Sequence, residues 1–409
     1  MRNIRTRVRS GGAALLALGS VIVLASCAGG TGDAGDGEVT SITVQDYFTA
    51  DPDGAVYEAV YDACGEEAGV EVERSAVSGA DLISKVLQQA SSKTLPDILV
   101  LDNPDVQEIA SSGALAPLSQ FGLSADGLAE GVVDASTYDG EVYGLQPAAN
   151  SITLFYNPDL LDAAGVSVPT TWDELKAAAA ALTTEDQYGI AFSAPANYEG
   201  TWQFLPFMWT AGGDESDIDT PETAEALQLW VDMVSAGSAS TSVVTWTQPD
   251  VNDQFIAGAA AMMINGPWQI PILEEAGASY EIASIPVPSL GDPVIAPLGG
   301  ESFTLPNTGD AARQAKAAVV LECINSDDSQ LTIAQERNLV PTRLSLQDQF
   351  VADNPVMAAF SDMVATARAR TGELGVDWPE AATKIYTAVQ SALVGGLTPS
   401  EALEQAQNG

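Results

Sequence analysis

The run Pro96-Asp-Ile-Leu-Val-Leu101 constrains the fold of this chain more than any other segment. A short unbroken apolar run suits a strand buried on both faces, the place that strands hold in parallel sheets. The sequence around it alternates between strand and helix patterns. Ser41-Ile-Thr-Val-Gln45 is β-rich, and the turn-forming Asp51-Pro-Asp-Gly54 leads into a helix predicted over 55–69. Val70-Glu-Val-Glu-Arg74 alternates as a strand does. Asp81 then has the place of a helix N-cap, with Leu82, Ile83, Val86, Leu87 and Ala90 at helical spacing. A further helix is expected over Asp105–Ser112, with Gly113 as its stop. This βαβαβ start predicts an α/β domain with a parallel sheet.

A second α/β region follows Tyr138-Asp-Gly-Glu-Val-Tyr-Gly144. It opens with a helix over Trp172–Leu182, capped by Thr170 or Thr171 with Glu174 in a capping-box position. Gln187–Phe192 reads as a strand, Thr201–Ala211 and Glu222–Ser235 as helices, and Ala260-Ala-Met-Met-Ile264 as a buried strand. From Ala352 to Gln407 the pattern is largely helical, with Pro399 opening the last helix. The length suits two domains.

The N-terminus reads as an address label. Arg2, Arg5, Arg7 and Arg9 precede an apolar run, Ala13–Ala25, that has the length of a signal-peptide core and is short for a membrane span. It ends in Leu24-Ala25-Ser26-Cys27, which resembles the bacterial lipobox, where the Cys27 thiol takes up the lipid. An ordinary secreted protein with a chance cysteine is the other reading. The small and acidic residues that follow suit a flexible tether. The expectation is a signal peptide over 1–26, a tether over 27–39, and a mature chain held by acyl chains on the extracytoplasmic face of the cell membrane.

Removing residues 1–26 leaves 11 basic and 56 acidic side chains, a formal charge of −45. Such a field repels nucleic acid and anionic lipid surfaces, so neither is expected as a partner. Lys176 is the only cation between Thr94 and Ala312. A phosphate or dicarboxylate ligand needs Arg or Lys forks, so an anionic ligand is disfavoured. The chain has no His, which removes most catalytic triads and His-ligated zinc sites. No metal, cofactor or catalytic residue is called for. Cys64 and Cys323 remain after lipidation; in an oxidising compartment a disulfide is the default, with two separate buried thiols as the alternative.

Several local patterns, in one order, resemble a known family. They are Pro96-Asp97-Ile98 with Gly113-Ala-Leu-Ala-Pro-Leu118; Asp139-Gly-Glu-Val-Tyr-Gly144 running into Leu154-Phe-Tyr-Asn157 and Ala164-Gly165; and Thr171-Trp-Asp-Glu-Leu175. Phe255-Ile-Ala-Gly258 with Ala261-Met-Met-Ile-Asn-Gly-Pro-Trp268, Gly299-Gly-Glu-Ser302, and Leu339-Val-Pro-Thr-Arg343 complete the set. Together they resemble the family 1 extracellular solute-binding proteins of ABC importers, the group that includes the maltose-binding protein. The resemblance implies a two-lobe α/β fold of the periplasmic-binding-protein kind, with a multi-crossing hinge and an interlobe ligand cleft. By that analogy one lobe is 40–148 with 302–345, and the other is 149–301 with 346–409. Cys64 and Cys323 then fall on helices of the first lobe.

Sugars present apolar C–H faces and polar edges, so their sites combine aromatic platforms with carboxylates and amides. The resemblance and this chemistry nominate the same residues. Trp268 leaves the buried strand after Gly266-Pro267, which favours exposure over core packing. Tyr198 and Trp202 are expected to stack, with Glu199 accepting hydroxyls. Trp378 resembles a late cleft-facing aromatic. Asp46, Asp102 and Asn103 sit at strand ends, Asn150 beside a crossing, and Glu301 after Gly299-Gly300. For each polar residue a turn or cap role competes with ligand contact. Trp172 and Trp230 are assigned to helix packing.

The function implied is a monomeric lipoprotein that captures a neutral sugar or oligosaccharide and delivers it to an ABC transporter permease. Two alternatives stand beside it: a receptor for a cationic solute such as a polyamine, since acids and aromatics also suit ammonium groups, and a surface glycoside hydrolase using paired carboxylates.

Overall fold

The structure is a computed structural model that describes residues 38–49 and 52–409. The expected signal peptide, Cys27 and most of the expected tether lie outside the described residues, as does Asp51 of the first turn.

The strand read from the apolar run, Ile98–Asp102, is central to a five-stranded sheet. Its neighbours run in the order Glu71–Ala76, Ser41–Asp46, Ile98–Asp102, Glu301–Thr304, Gly144–Leu145. The first three are parallel, while Glu301–Thr304 returns antiparallel, with Glu301 opposite Asp102. Ile98 through Leu101 are fully buried, as an apolar run flanked by helices on both faces requires.

The second sheet has the order Glu281–Ala283, Thr153–Tyr156, Ala260–Asn265, Tyr188–Ala191. Every residue of Ala260–Asn265 is buried. Here the helices pack with large rings: Trp230 lies within 4.3–5.5 Å of Phe192, Phe204 and Phe207. Trp172 is buried and donates its indole N–H to the Pro286 carbonyl at 3.0 Å. The helix Trp172–Leu182 carries the capping box expected of it, Thr171 with Glu174.

Two helix starts differ from the sequence reading, each for a local reason. The helix expected from Asp81 begins at Gly79, which puts Asp81 inside the first turn. The helix expected from Thr201 begins at Tyr198, because the Asn197 side chain accepts from the Glu199 and Gly200 amides at 2.9 and 3.4 Å. That extra turn puts Tyr198 and Glu199 on the helix itself.

The chain passes between the two sheets several times, and the passages are laced side by side. Val340–Pro341 pairs antiparallel with Ala148–Ala149, and Asn150 exchanges backbone hydrogen bonds with Gly299. Arg368 bonds to Ala296 and Leu298 on the other side of that passage. The architecture is the two-lobe one, with this ladder between the lobes. In the first lobe, Cys64 of helix Asp53–Ala68 is disulfide-bonded to Cys323 of helix Ala311–Ile324, with Cα atoms 5.5 Å apart. Among the described residues, no helix is long and apolar enough to cross a membrane.

Candidate functional site

Strand ends, helix starts and the crossing ladder bring one set of side chains together. On the first lobe, the chain leaves Ile98–Asp102 through Asn103. Asn103 is fully buried; its amide donates to the Leu298 carbonyl at 3.3 Å, and its Oδ1 accepts from Arg370 at 3.0 Å. Asp102 accepts from the same Arg370 nitrogen at 2.6 Å, with its side chain still 40% exposed. Asp105 begins the next turn, and its carboxyl is pushed up to about 8. Burial is the main cause, with the Asp102 and Glu108 charges adding to it and Arg370 opposing it.

Glu301 faces Asp102 across the strand pair, and burial pushes its carboxyl up. Arg337 lies 3.5 Å from Glu301 and counters that shift. Arg337 is itself held by both Asp53 oxygens at 3.0 and 2.9 Å and by the Tyr57 hydroxyl at 2.8 Å. The Phe48 and Tyr57 rings lie against its guanidinium, with centroids 4.9 and 4.8 Å away.

On the second lobe, the helix Tyr198–Ala211 points its first turn toward these acids. Tyr198 is exposed, and the charges of Asp105 and Glu108 help raise its hydroxyl pKa after burial itself. Glu199 accepts from the Ser193 hydroxyl at 2.9 Å and from the Gln248 amide, so one of its oxygens is spent on the fold. Trp202 stacks on Arg370 at 4.7 Å. Trp268 is half-buried, its ring folded over Gly266, where a Cβ would stand 2.1 Å from the indole. Asn150 is buried beside Gly299, where a Cβ would fall 2.1 Å from Asn150 Oδ1 and 2.6 Å from the Trp202 ring.

Asp102, Asn103, Asn150, Tyr198, Trp202 and Glu301 therefore gather around Arg370, Gly299 and the neighbouring acids, with Glu199 and Trp268 on the second-lobe side. Two nominated residues do not belong with them. Asp46 is fully buried and spent within the first lobe: Arg74 grips it at 2.7 and 3.0 Å, and the Tyr61 hydroxyl and Phe48 amide also donate to it. Trp378 is 3% exposed and packs in the second lobe's apolar core, because it opens a helix whose apolar stripe faces inward. Trp202 is also more enclosed than expected, at 7% exposed.

The sequence reading missed the two arginines. Lys176, singled out as the lone cation of the middle region, sits at the surface with Asp173 and Asp232. Arg337 and Arg370 reach the site from the last quarter of the chain, and both are already matched by carboxylates. Nothing in their local sequence marks them, since a hinge brings together residues far apart in the chain. Among the described residues, no group of acids and cysteines is arranged to hold a metal.

The raised Asp105 carboxyl gives a checkable pH dependence. The folded state holds that proton up to about pH 8, whereas an unfolded aspartate releases it near pH 4. Across that window the folded state binds more protons, so this group makes stability fall as pH rises. Asp105→Asn is expected to raise the melting temperature more at pH 8 than at pH 5; an equal effect at both would contradict the assignment.

The chain matches the model of the family described as bacterial extracellular solute-binding protein over residues 59–359, a span that holds most of both lobes. A binding protein of Brucella abortus (strain 2308) is 27% identical over 414 residues, covering 98% of this chain and 97% of that one. The maltooligosaccharide ABC transporter solute-binding lipoprotein of Streptococcus pneumoniae (serotype 4) is 25% identical over 301 residues, covering 70% of this chain and 69% of its own. Among solved structures, the cyclic alpha-maltosyl-1,6-maltose binding protein of Arthrobacter globiformis aligns with a TM-score of 0.77 at 27% identity, over 90% of this chain and 97% of that one. On its sequence match, and with a fold that agrees, the chain belongs to the bacterial extracellular solute-binding proteins.

Proposed function

We propose that this protein captures a neutral sugar or oligosaccharide between its lobes and hands it to an ABC transporter permease. The observation that carries the reading is the convergence of aromatic rings with carboxylate and amide acceptors on the crossing ladder. Trp202 meets Arg370 and the Gly299 crossing and Tyr198 lies in the field of Asp105 and Glu108, while Asp102, Glu301 and Asn150 offer acceptors for hydroxyls. Arg337 and Arg370 are both matched by carboxylates, so neither is free to meet an anionic ligand. The sugar-binding relatives support the same ligand class. The lobes divide as 40–148 with 302–345 and 149–301 with 346–409. An existing open–closed equilibrium then moves toward the closed form, by as much as the sugar binds that form more tightly.

A thermal-shift panel of maltose, maltotriose, glucose and polyamines tests the ligand class. A sugar present at 100 times its Kd stabilises the folded state by about 2.7 kcal/mol. A panel in which only amines stabilise would overturn the sugar reading. Gly299→Ala is expected to weaken binding of the stabilising sugar, because the added Cβ displaces Asn150 and Trp202 together. Calorimetric titration showing unchanged affinity would remove the crossing from the site.

We further propose that the chain acts from the membrane surface through an acylated Cys27. Cys27→Ser is expected to move the protein from the membrane fraction to the soluble one. Retention at the membrane would contradict the anchor.

A further inference from the structure

We propose that Arg370 is a positioning residue that registers the two walls of the ligand cleft against each other; the inference rests on the sugar-capture reading above. Its side chain is 7% exposed and is contacted from both lobes. From the first, Asp102 and Asn103 at the end of one strand accept from the same Nη2 at 2.6 and 3.0 Å. From the second, the guanidinium sits over the Trp202 ring, its central carbon 4.7 Å from the ring centroid. The segment bearing Arg370 is laced to the crossing, since Arg368 exchanges backbone hydrogen bonds with Ala296 and Leu298.

Arg370 Nε is buried and finds no hydrogen-bond partner among the described residues. The plane of the group is therefore set by the acceptors at one end and by the Trp202 ring on its face. Only a planar fork meets both demands, because an ammonium is a point charge with no face to lay on a ring. Through this one cation, the open edge of Asp102 and the indole of Trp202 stand at a fixed spacing. A sugar that lays its C–H face on an aromatic ring and donates an edge hydroxyl to Asp102 is measured against that spacing.

Two readouts separate this role from a merely structural one. The first needs no ligand: 19F NMR of the protein labelled with 5-fluorotryptophan, with the Trp202 signal assigned through Trp202→Phe. Asp102→Asn is expected to displace the Trp202 signal when Arg370 is present and to leave it in place in an Arg370→Gln background. The second is calorimetric titration with the sugar that stabilises the parent protein. Arg370→Gln is expected to weaken binding about tenfold, since the two charge-assisted hydrogen bonds and the ring contact that fix the spacing are lost. Adding Trp202→Phe to it is expected to cost little more, whereas Arg370→Lys lies between parent and Gln. If Arg370→Gln does not fold, the Lys variant carries the test through the same signal and titration. A Trp202 signal indifferent to Asp102→Asn, or strictly additive losses, would overturn the positioning role. A parent protein that binds no sugar would overturn the ligand reading instead, and the NMR comparison would still decide whether Arg370 couples the walls.

Discussion

Replacing Cys64 and Cys323 together by alanine is expected to lower the unfolding free energy by about 5 kcal/mol. The two cysteines are 259 residues apart in sequence, so their bond closes more than half of the chain into one loop. In the chain-entropy account, the unfolded state loses freedom in proportion to the logarithm of that loop length. The bond joins helix Asp53–Ala68 to helix Ala311–Ile324, two helices that belong to the same lobe yet come from opposite ends of the sequence. It thus secures the return of the late segment to the early one. Urea unfolding followed by tryptophan emission checks the figure, and a midpoint unchanged in the double variant would contradict it. Alanine is the better probe than serine, because Cys64 is 1% exposed and a hydroxyl there would add its own burial cost.

Arg337→Met is expected to cost about 3–5 kcal/mol, the range for breaking a buried ion pair from one side. The guanidinium is 5% exposed and answers three partners at once: both Asp53 oxygens, the Tyr57 hydroxyl and Glu301. Methionine keeps an unbranched apolar side chain at the position and removes the guanidinium that lies against the Phe48 and Tyr57 rings. Glu301, buried and already raised by burial, then stands without its counter-ion. Its proton affinity rises further, so the penalty is expected to shrink as pH falls and the carboxyl takes up a proton. Adding Glu301→Gln should recover part of the loss at pH 8. A double variant no more stable than Arg337→Met would contradict a cost at Glu301 and place it with Asp53 and Tyr57 instead.

The parts of the fold legible in the sequence are those that local chemistry decides. The continuous run before Asp102 specifies a doubly covered strand, and a threonine pair with Glu174 specifies a capped helix start, which the structure resolves to Thr171 rather than Thr170. Asn197 was an equally good cap and was passed over in favour of a later start, which hid the fact that Tyr198 and Glu199 ride on a helix. The site was legible only where it hangs on strand ends and glycines. Asp102 and Asn103, leaving a buried strand, and Gly299-Gly300, entering one, are nominated by position, and the structure puts them beside one another at the crossing. Asp46 obeys the same rule and fails it, since Arg74 on the adjacent strand reaches across and consumes its charge. Trp378 fails because an aromatic at a helix start has no local sign of which way it faces. Arg370 and Arg337 could not be found, as their partners lie 268 and 284 residues away, Arg370 reaching Asp102 beside the crossing and Arg337 reaching Asp53 on a helix packed against its own.

The central claim is that a sugar is held between two lobes that close upon it. Small-angle scattering of the purified protein tests it most directly, with and without a saturating concentration of the sugar giving the largest thermal shift. A smaller radius of gyration is expected with that sugar present, and no change with a non-stabilising sugar at the same concentration. A radius of gyration that the stabilising sugar leaves unchanged would contradict capture by closure.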